Sequence, residues 1–336
     1  MAEKSMDQDS QVIELPEAGE DDTQVVEVRQ LVLPAALHGS RLDKALAELV
    51  PEFSRSYLQQ LLAHGAVQLN GREAQKPATK VRLGDHLAVA MRPTAQSQAF
   101  KPESMALNVV FEDADLLVVN KPAGLVVHPA PGNWSGTLLN GLLAHHAGAV
   151  QVPRAGIVHR LDKDTSGLMV VAKNRATMDA LVALIAQRHV SRRYLALAHG
   201  AWRGEPVQTV DAAIGRDPRN RLRMAVVDLQ HSPGKAARTD ITCLSTTDAH
   251  CLVHCKLHTG RTHQIRVHMQ HLHHPLIADA VYGGAAAGDL QRQALHAFRL
   301  QFIHPVTAED LHLRADPPRD FLAAAEKLGL QYNCPP

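Results

Sequence analysis

The run HRLDKDTSGLMVV, residues 159 to 171, sets Asp162 and Asp164 two positions apart, places Arg160 and Lys163 beside the first of them, and turns through Ser166-Gly167 into an apolar stretch. A calcium loop would take ligands from its first, third and fifth places, here Asp162, Asp164 and Ser166. Its twelfth place is Lys173, whose charge opposes the ion where a bidentate glutamate is needed. An aspartyl-phosphate phosphotransferase would require magnesium, further acidic ligands and a parallel sheet, and the sequence offers no second acidic cluster suited to that. What remains is an aspartate between cations, which favour its ionised form and suit a nucleophile or a base rather than a general acid. A surface ion pair in a turn is the competing explanation.

Twenty-one histidines and the run HCLVHCKLH at 250 to 258 invite a zinc site. On a strand, Cys251 and Cys255 would share a face about 13 Å apart, whereas zinc ligands lie ~2.0–2.3 Å from one ion. They read instead as small buried apolar residues, and no metal is expected. His271, His273 and His274 read as helix-end capping or binding-surface groups rather than metal ligands, and His128 and His159 as structural.

The elements that must position these residues fall into two groups. Residues 1 to 30 hold nine acids and two bases, which leaves the remainder with 33 bases against 25 acids. Such a basic body is either a solvated surface or a platform for a polyanion. Residues 1–32 read as a disordered acidic tail, too poor in large apolar groups to offset the entropy of ordering. At 33–92 come helices at SRLDKALAELV and SRSYLQQLLAHG, then short strands at AVQLNG and KVRLGDHLAVA, and a polar linker follows at 93–106. From 107 to 330, strands follow strands directly (NVVFEDADLLVVNKP, GIVHRL, LMVVAKN, RRYLALAHG, ARTDITCLST, AHCLVHCKLH, ALHAFRLQFIHP with EDLHLRA). Helices are expected at TLLNGLLAHHAG, RATMDALVALIAQRHV and THQIRVHMQHL. This order predicts an α+β fold with a mixed, largely antiparallel sheet, preceded by a small α/β domain. No apolar run approaches the ~18 residues of a membrane span and no export signal opens the chain, so a cytoplasmic protein with reduced thiols is expected.

The string GIVHRLDKDTSGLMVVAKN resembles the central motif of the ribosomal large-subunit family of uridine-to-pseudouridine synthases. NKPAGLVVHP at 120 to 129, RRYLALAHG at 192 to 200 and LHTGRTHQIRVHMQHLHHPLIADAVYGG at 257 to 284 are similar to further motifs of that family, in the same order. The stretch RLDKALAELVPEFSRSYLQQLLAHGAVQLNG resembles the small RNA-binding domain first seen in a small-subunit ribosomal protein. The resemblance implies site-specific isomerisation of uridine to pseudouridine in large-subunit (23S) ribosomal RNA; another rRNA site, a tRNA, or a non-catalytic role in RNA binding or ribosome assembly are the alternatives. It implies Asp162 as the essential aspartate, Tyr194 against the target uracil and Arg266 as the partner of Asp162, with Arg261 competing for that place. Asp164 becomes a turn residue bonding nearby amides. Arg160, His159, Arg261 and Lys121 are assigned to substrate binding, and Arg41, Lys44, Arg55, Arg72 and Lys76 to RNA phosphates. No cofactor is implied, and the partner would be large-subunit rRNA or a pre-ribosomal particle met by a monomer. Ala278 stands where the family usually has glycine, which makes the local turn the point to inspect. Metal analysis of the purified protein is expected to find less than stoichiometric zinc; activity lost on chelation would contradict the cysteine argument.

Overall fold

Apolar residues alternating along short strands build the first unit. The computed structural model describes residues 27–51, 53, 55–91, 99–130, 132–220 and 223–332, and the chain divides into units 1–99 and 100–336. The first unit holds β1 (Val28–Val32), α1 (Leu42–Leu49), α2 (Arg55–Ala63), β2 (Val67–Leu69), β3 (Arg72–Glu73) and β4 (His86–Ala90). Its antiparallel sheet runs β1-β4-β2-β3. Leu42, Ala45 and Leu46 of α1 and Leu58, Leu61 and Leu62 of α2 recur at helical spacing and bury against Val67, Leu87 and Val89. Asn70 and Gly71 both take positive φ, 52° and 77°, as a tight hairpin between β2 and β3 demands.

One expectation is corrected here. Residues 28–32, read as the end of a disordered tail, form an edge strand in register with β4 from Val28↔Ala90 to Val32↔His86. Residues 1–26 of that tail, residue 92 and residues 93–98 of the expected linker lie outside the described residues.

The second unit contains β5 (Val109–Glu112), β6 (Leu116–Lys121), α3 (Leu138–His145), β7 (Ser166–Ala172), α4 (Arg175–Ala186), β8 (Ser191–His199) and β9 (Val207–Asp211). It continues with β10 (Ile214–Arg216), β11 (Met224–Val226), β12 (Gly234–Lys235), β13 (Arg238–Thr246), β14 (His250–Leu257), α5 (Gln264–His271), β15 (Leu295–Ile303), β16 (Asp310–Arg314) and α6 (Arg319–Lys327). The large sheet runs β5-β6-β7-β15-β8-β14-β13-β9, with β16 on β15, and only the β7–β15 pair is parallel. This is the mixed, largely antiparallel α+β sheet that the order of elements predicts.

Both faces are covered, so the central strands are apolar on both sides. On one face Val119, Met169, Tyr194, Ala196, Cys251 and Cys255 join a core with α3 and α5. On the other, Leu195, Leu197 and Leu252 pack under Phe321 and Ala324 of α6. Burial pushes the Cys251 thiol up to about 12 and that of Cys255 higher still, as expected for thiols packed as apolar residues. The expected strand GIVHRL is not one: only Ile157 bridges, to Val171, before the chain leaves the sheet as a loop. Among the described residues no helix is long and apolar enough to cross a membrane.

Gly167 fixes how that loop rejoins the sheet. Its φ is +117°, and a Cβ there would collide with the backbone of Ala297, its register partner on β15. Gly124, at φ +88°, has open space around it. Gly167→Ala is therefore expected to cost at least ~3 kcal/mol, against ~1 kcal/mol for Gly124→Ala, in denaturant unfolding; equal costs would refute the close-approach argument.

Candidate active site

The loop from His159 to Thr165 is pinned mainly through its backbone. The Lys121 ammonium, 1% exposed, donates to the carbonyls of Pro122, Leu125 and Lys163 at 2.8, 2.9 and 2.9 Å. Gly124 N also donates to Lys163 O, at 2.9 Å, and Thr165 N closes a turn on Asp162 O at 3.2 Å. Arg292 donates to Asp164 O at 3.1 Å while its other nitrogens fork onto Asp320 at 2.7 and 2.9 Å. Ser166 Oγ bonds His296 Nδ1 at 2.9 Å in the buried floor. Two expectations change as a result. Lys121 does not line the cavity; it braces the loop from beneath, and burial lowers its pKa to about 8. Asp164 serves the turn through its carbonyl, and its carboxylate makes no hydrogen bond among the described residues.

Onto this loop α5 projects Arg266, which lies between two carboxylates. Nη1 donates to Asp162 Oδ2 at 3.0 Å, while Nε and Nη2 grip Asp279 at 2.7 and 2.8 Å. The side chains of Arg266 and Asp279 are 6% and 1% exposed, and that of Asp162 is 17% exposed. Burial opposes the guanidinium charge, but the two carboxylates outweigh it and raise the Arg266 pKa above its ordinary value. This geometry separates the two arginines that the sequence left as rivals. Arg261 also borders the cavity, but its Nε is taken by the carbonyl of Ala236 at 2.9 Å.

His263 and Tyr282 complete the frame. The Tyr282 hydroxyl accepts from Met224 N at 3.0 Å and lies 2.8 Å from His263 Nδ1. With that hydroxyl donating to Nδ1, the His263 proton sits on Nε2, 3.8 Å from Asp162 Oδ1. Burial lowers the His263 pKa, so the neutral ring faces the carboxylate and Arg266 supplies the charge. His263 holds φ +58° as it caps α5, and Ala278, at φ +57°, sits in the turn before Asp279. The left-handed backbone explains why glycine suits position 278, and the alanine tolerates it at a cost of ~1 kcal/mol.

The cavity itself measures about 370 Å³. Asp162 is the one acid among its lining residues, facing Arg160, Arg188, Arg192, Arg261 and Arg266. Tyr194 of β8, 6% exposed, forms part of the wall, and Leu295 of β15 another part. His159 also borders the cavity, but its Nε2 accepts from Val170 N at 3.1 Å, and burial with nearby Arg192 drops its pKa to about 3. It is a neutral ring fixing the loop to β7. Arg160 is exposed at the rim.

Sequence reasoning missed Arg188, Arg192 and Leu295 as lining residues and Asp279 as the second carboxylate. Arg192 is 7% exposed, and its Nε has no hydrogen-bond partner among the described residues, so a buried cation borders the cavity. In the first unit, Arg41 and Arg55 converge on buried Asp43 at 3.0 and 2.7 Å yet stay about half exposed (51% and 57%). These bonds hold the Asp43 carboxyl well below the usual carboxylate range. Lys44 faces Glu48 at 3.7 Å, and Arg72 and Lys76 are exposed.

A lone carboxylate faces five arginines in this cavity, a setting that favours an anionic substrate such as nucleic acid. Residues 115–271 match the model of the RNA pseudouridylate synthase family and residues 40–87 that of the S4 domain. The chain is 48% identical over 314 residues to the ribosomal large subunit pseudouridine synthase D of Neisseria meningitidis serogroup B, covering 90% of this chain and 82% of that one. To the protein of the same name from Xanthomonas campestris it is 45% identical over 306 residues, covering 87% and 90%. Among solved structures, human RNA pseudouridylate synthase domain containing 1 superposes with a TM-score of 0.51 at 30% identity, over 65% of this chain and 86% of that one. The chain belongs to the RNA pseudouridylate synthase family, and it is an enzyme that isomerises uridine in RNA.

Because Arg266 pairs with two carboxylates largely out of water, Arg266→Met is expected to cost about 3–5 kcal/mol of stability. Pairing it with Asp279→Asn should recover part of that loss in the same unfolding assay, and full additivity of the two changes would contradict the pairing.

Proposed function

We propose that the enzyme converts particular uridines of large-subunit (23S) ribosomal RNA to pseudouridine, as a monomer in the cytoplasm, with Asp162 as its catalytic carboxylate. Relatives bearing that large-subunit name, at 45–48% identity over most of both chains, support the choice of RNA. The observation that carries the reading is Asp162 itself, the one acid lining the cavity, held by Arg266 at 3.0 Å.

The chemistry asks for little more. The N1–C1′ glycosidic bond breaks, the uracil turns over, C5 joins C1′, and in the net change C5 gives up a proton while N1 gains one. No electrons are gained or lost. A carboxylate serves either by attacking the sugar or by taking a sugar proton, and an ionised form is needed for both. Arg266 bonds Asp162 at 3.0 Å and aims it. Tyr194 offers a flat face to the swung-out base, where stacking contributes ~1–3 kcal/mol. Unstacking the uridine costs a few kcal/mol, and Arg160 at the rim with Arg192 inside would offset it through phosphate and base contacts. Arg41, Lys44, Arg55, Arg72 and Lys76 of the first unit would add sequence-independent phosphate contacts.

Tritium release from rRNA labelled at uracil C5 checks the proposal. Wild-type protein should release it from large-subunit rRNA transcripts, and Asp162→Asn should lower the rate at least ~10³-fold with the unfolding transition retained. Turnover by Asp162→Asn at a rate near wild type would overturn the assignment. Turnover on transfer RNA alone would overturn the choice of RNA.

A further inference from the structure

On the sheet face opposite Tyr194, four cations stand in register across four neighbouring strands. Lys256 of β14 pairs with Arg193 of β8, Arg193 with Arg299 of β15, and Arg299 with Arg314 of β16. Strand alternation places Lys256 and Arg193 there, since their neighbours Cys255 and Tyr194 point into the core on the cavity side, and a register shift between Ala297 and Arg299 brings Arg299 opposite Arg193. Helix α6 covers the apolar part of this face, around Leu195, Leu197, Leu252 and Phe298, and the cations lie beyond it.

Like charges directly opposite each other on adjacent strands repel, so such a row weakens the sheet unless an anion lies along it. The protein's own acids compensate only part of it. Arg314 has Asp316 at 2.6 Å, but Asp310 is taken by His312 at 2.9 Å and Asp240 by His258 at 2.6 Å. Among the described residues, Arg188, Arg193 and Lys256 have no ion-pair partner. Beneath the row, His254 has its pKa lowered to about 4, by burial first and then by Arg193, Arg299 and Lys256.

The row is also connected to the active site. A groove of about 480 Å³ along Arg193, Arg299 and Arg314 shares Ser191, Arg193 and Gln301 with a second of about 360 Å³ that contains Lys256. That second groove shares Arg188 and His258 with the catalytic cavity. Cationic surface thus continues from Asp162 around the end of the sheet, where β8 begins and β14 ends.

We infer that this row is a phosphate track: RNA flanking the target uridine leaves the cavity past Arg188 and His258 and lays its backbone on Lys256, Arg193, Arg299 and Arg314. Four adjacent strands span about 14 Å, enough for a short run of phosphates. Among the described residues neither groove offers an exposed aromatic anchor of the kind a protein partner would use, since Phe302 is 2% exposed. The track carries no base-reading geometry, so it would add affinity without choosing the site.

The inference rests on the RNA-modifying activity and not on which RNA is modified, so the probe is single-stranded oligouridylate. Binding by full-length wild type and by the combined Arg193→Gln, Lys256→Gln, Arg299→Gln variant is measured against salt, with oligomers of roughly 30 and about 5 nucleotides. For the long oligomer the slope of log K against log salt should become shallower by about 2, with affinity at low salt falling roughly tenfold or more, while the short one binds as before. Each single variant should account for about 0.7 of that slope, which keeps the test readable if the triple variant unfolds. An unchanged slope, or equal losses for both lengths, would overturn the track. So would wild-type self-association that the variant abolishes, because the face would then belong to a second copy of the chain. Failure of tritium release from large-subunit rRNA would leave these slopes interpretable.

Discussion

A guanidinium shared between two carboxylates governs this active site. Arg266 reaches Asp162 with one nitrogen and Asp279 with two, and the three groups come from a loop, a helix and a turn far apart in sequence. Burying an ion pair is expensive, and the attraction repays it only when geometry is good and the remaining hydrogen-bonding capacity is used. Here the fork on Asp279 uses two of the donors, so the third can be directed at a carboxylate that keeps access to the cavity. Asp279 anchors, Asp162 faces the cavity, and the cation between them bonds both. Arg266 occupies the first turn of α5, where a positive charge opposes the helix dipole, so the carboxylates also stabilise that helix end.

Around that triad the protein works mainly with its backbone. Carbonyls of the 162–165 loop are held by Lys121, Gly124 and Arg292, while the Asp162 carboxylate stays open to the cavity. Gln264 repeats the device on the other wall: its amide oxygen accepts from Thr259 Oγ1 and Arg261 N, and its nitrogen donates to Arg238 O and Thr239 Oγ1. Positive φ at His263 and Ala278 marks where backbone is strained to aim a side chain, a recurrent property of functional sites.

Much of this was legible in the sequence, because helices with clear periodicity and strands ending in turn residues report local physics. The helix over RATMDALVALIA and the strands over RRYLALAHG and HCLVHCKL appear with bounds close to those read. Non-local pairing is what stayed hidden. VRQLV looks like part of an acidic tail until β4, more than fifty residues later, gives it a partner. GIVHRL has the composition of a strand but only one residue with a neighbour to pair with. Lys121 reads as a substrate ligand because nothing local reveals three carbonyls converging on its amine. Arg261 and Arg266 stand five positions apart in one motif, and only the carbonyl of Ala236 and the carboxylate of Asp279 tell them apart.

The parallel contact between β7 and β15 has a consequence for the order in which the molecule matures. Ser166 and Gly167 meet His296 and Ala297, some 130 positions downstream, and the arginine steadying the Asp164 carbonyl is residue 292. Contacts of such sequence separation form late, after the loop-closure entropy has been met. During synthesis from the N-terminus, Asp162 exists long before the strand that braces its loop emerges. Competence therefore waits for β15, and a polypeptide that stops before it carries Asp162 without the strand that braces its loop.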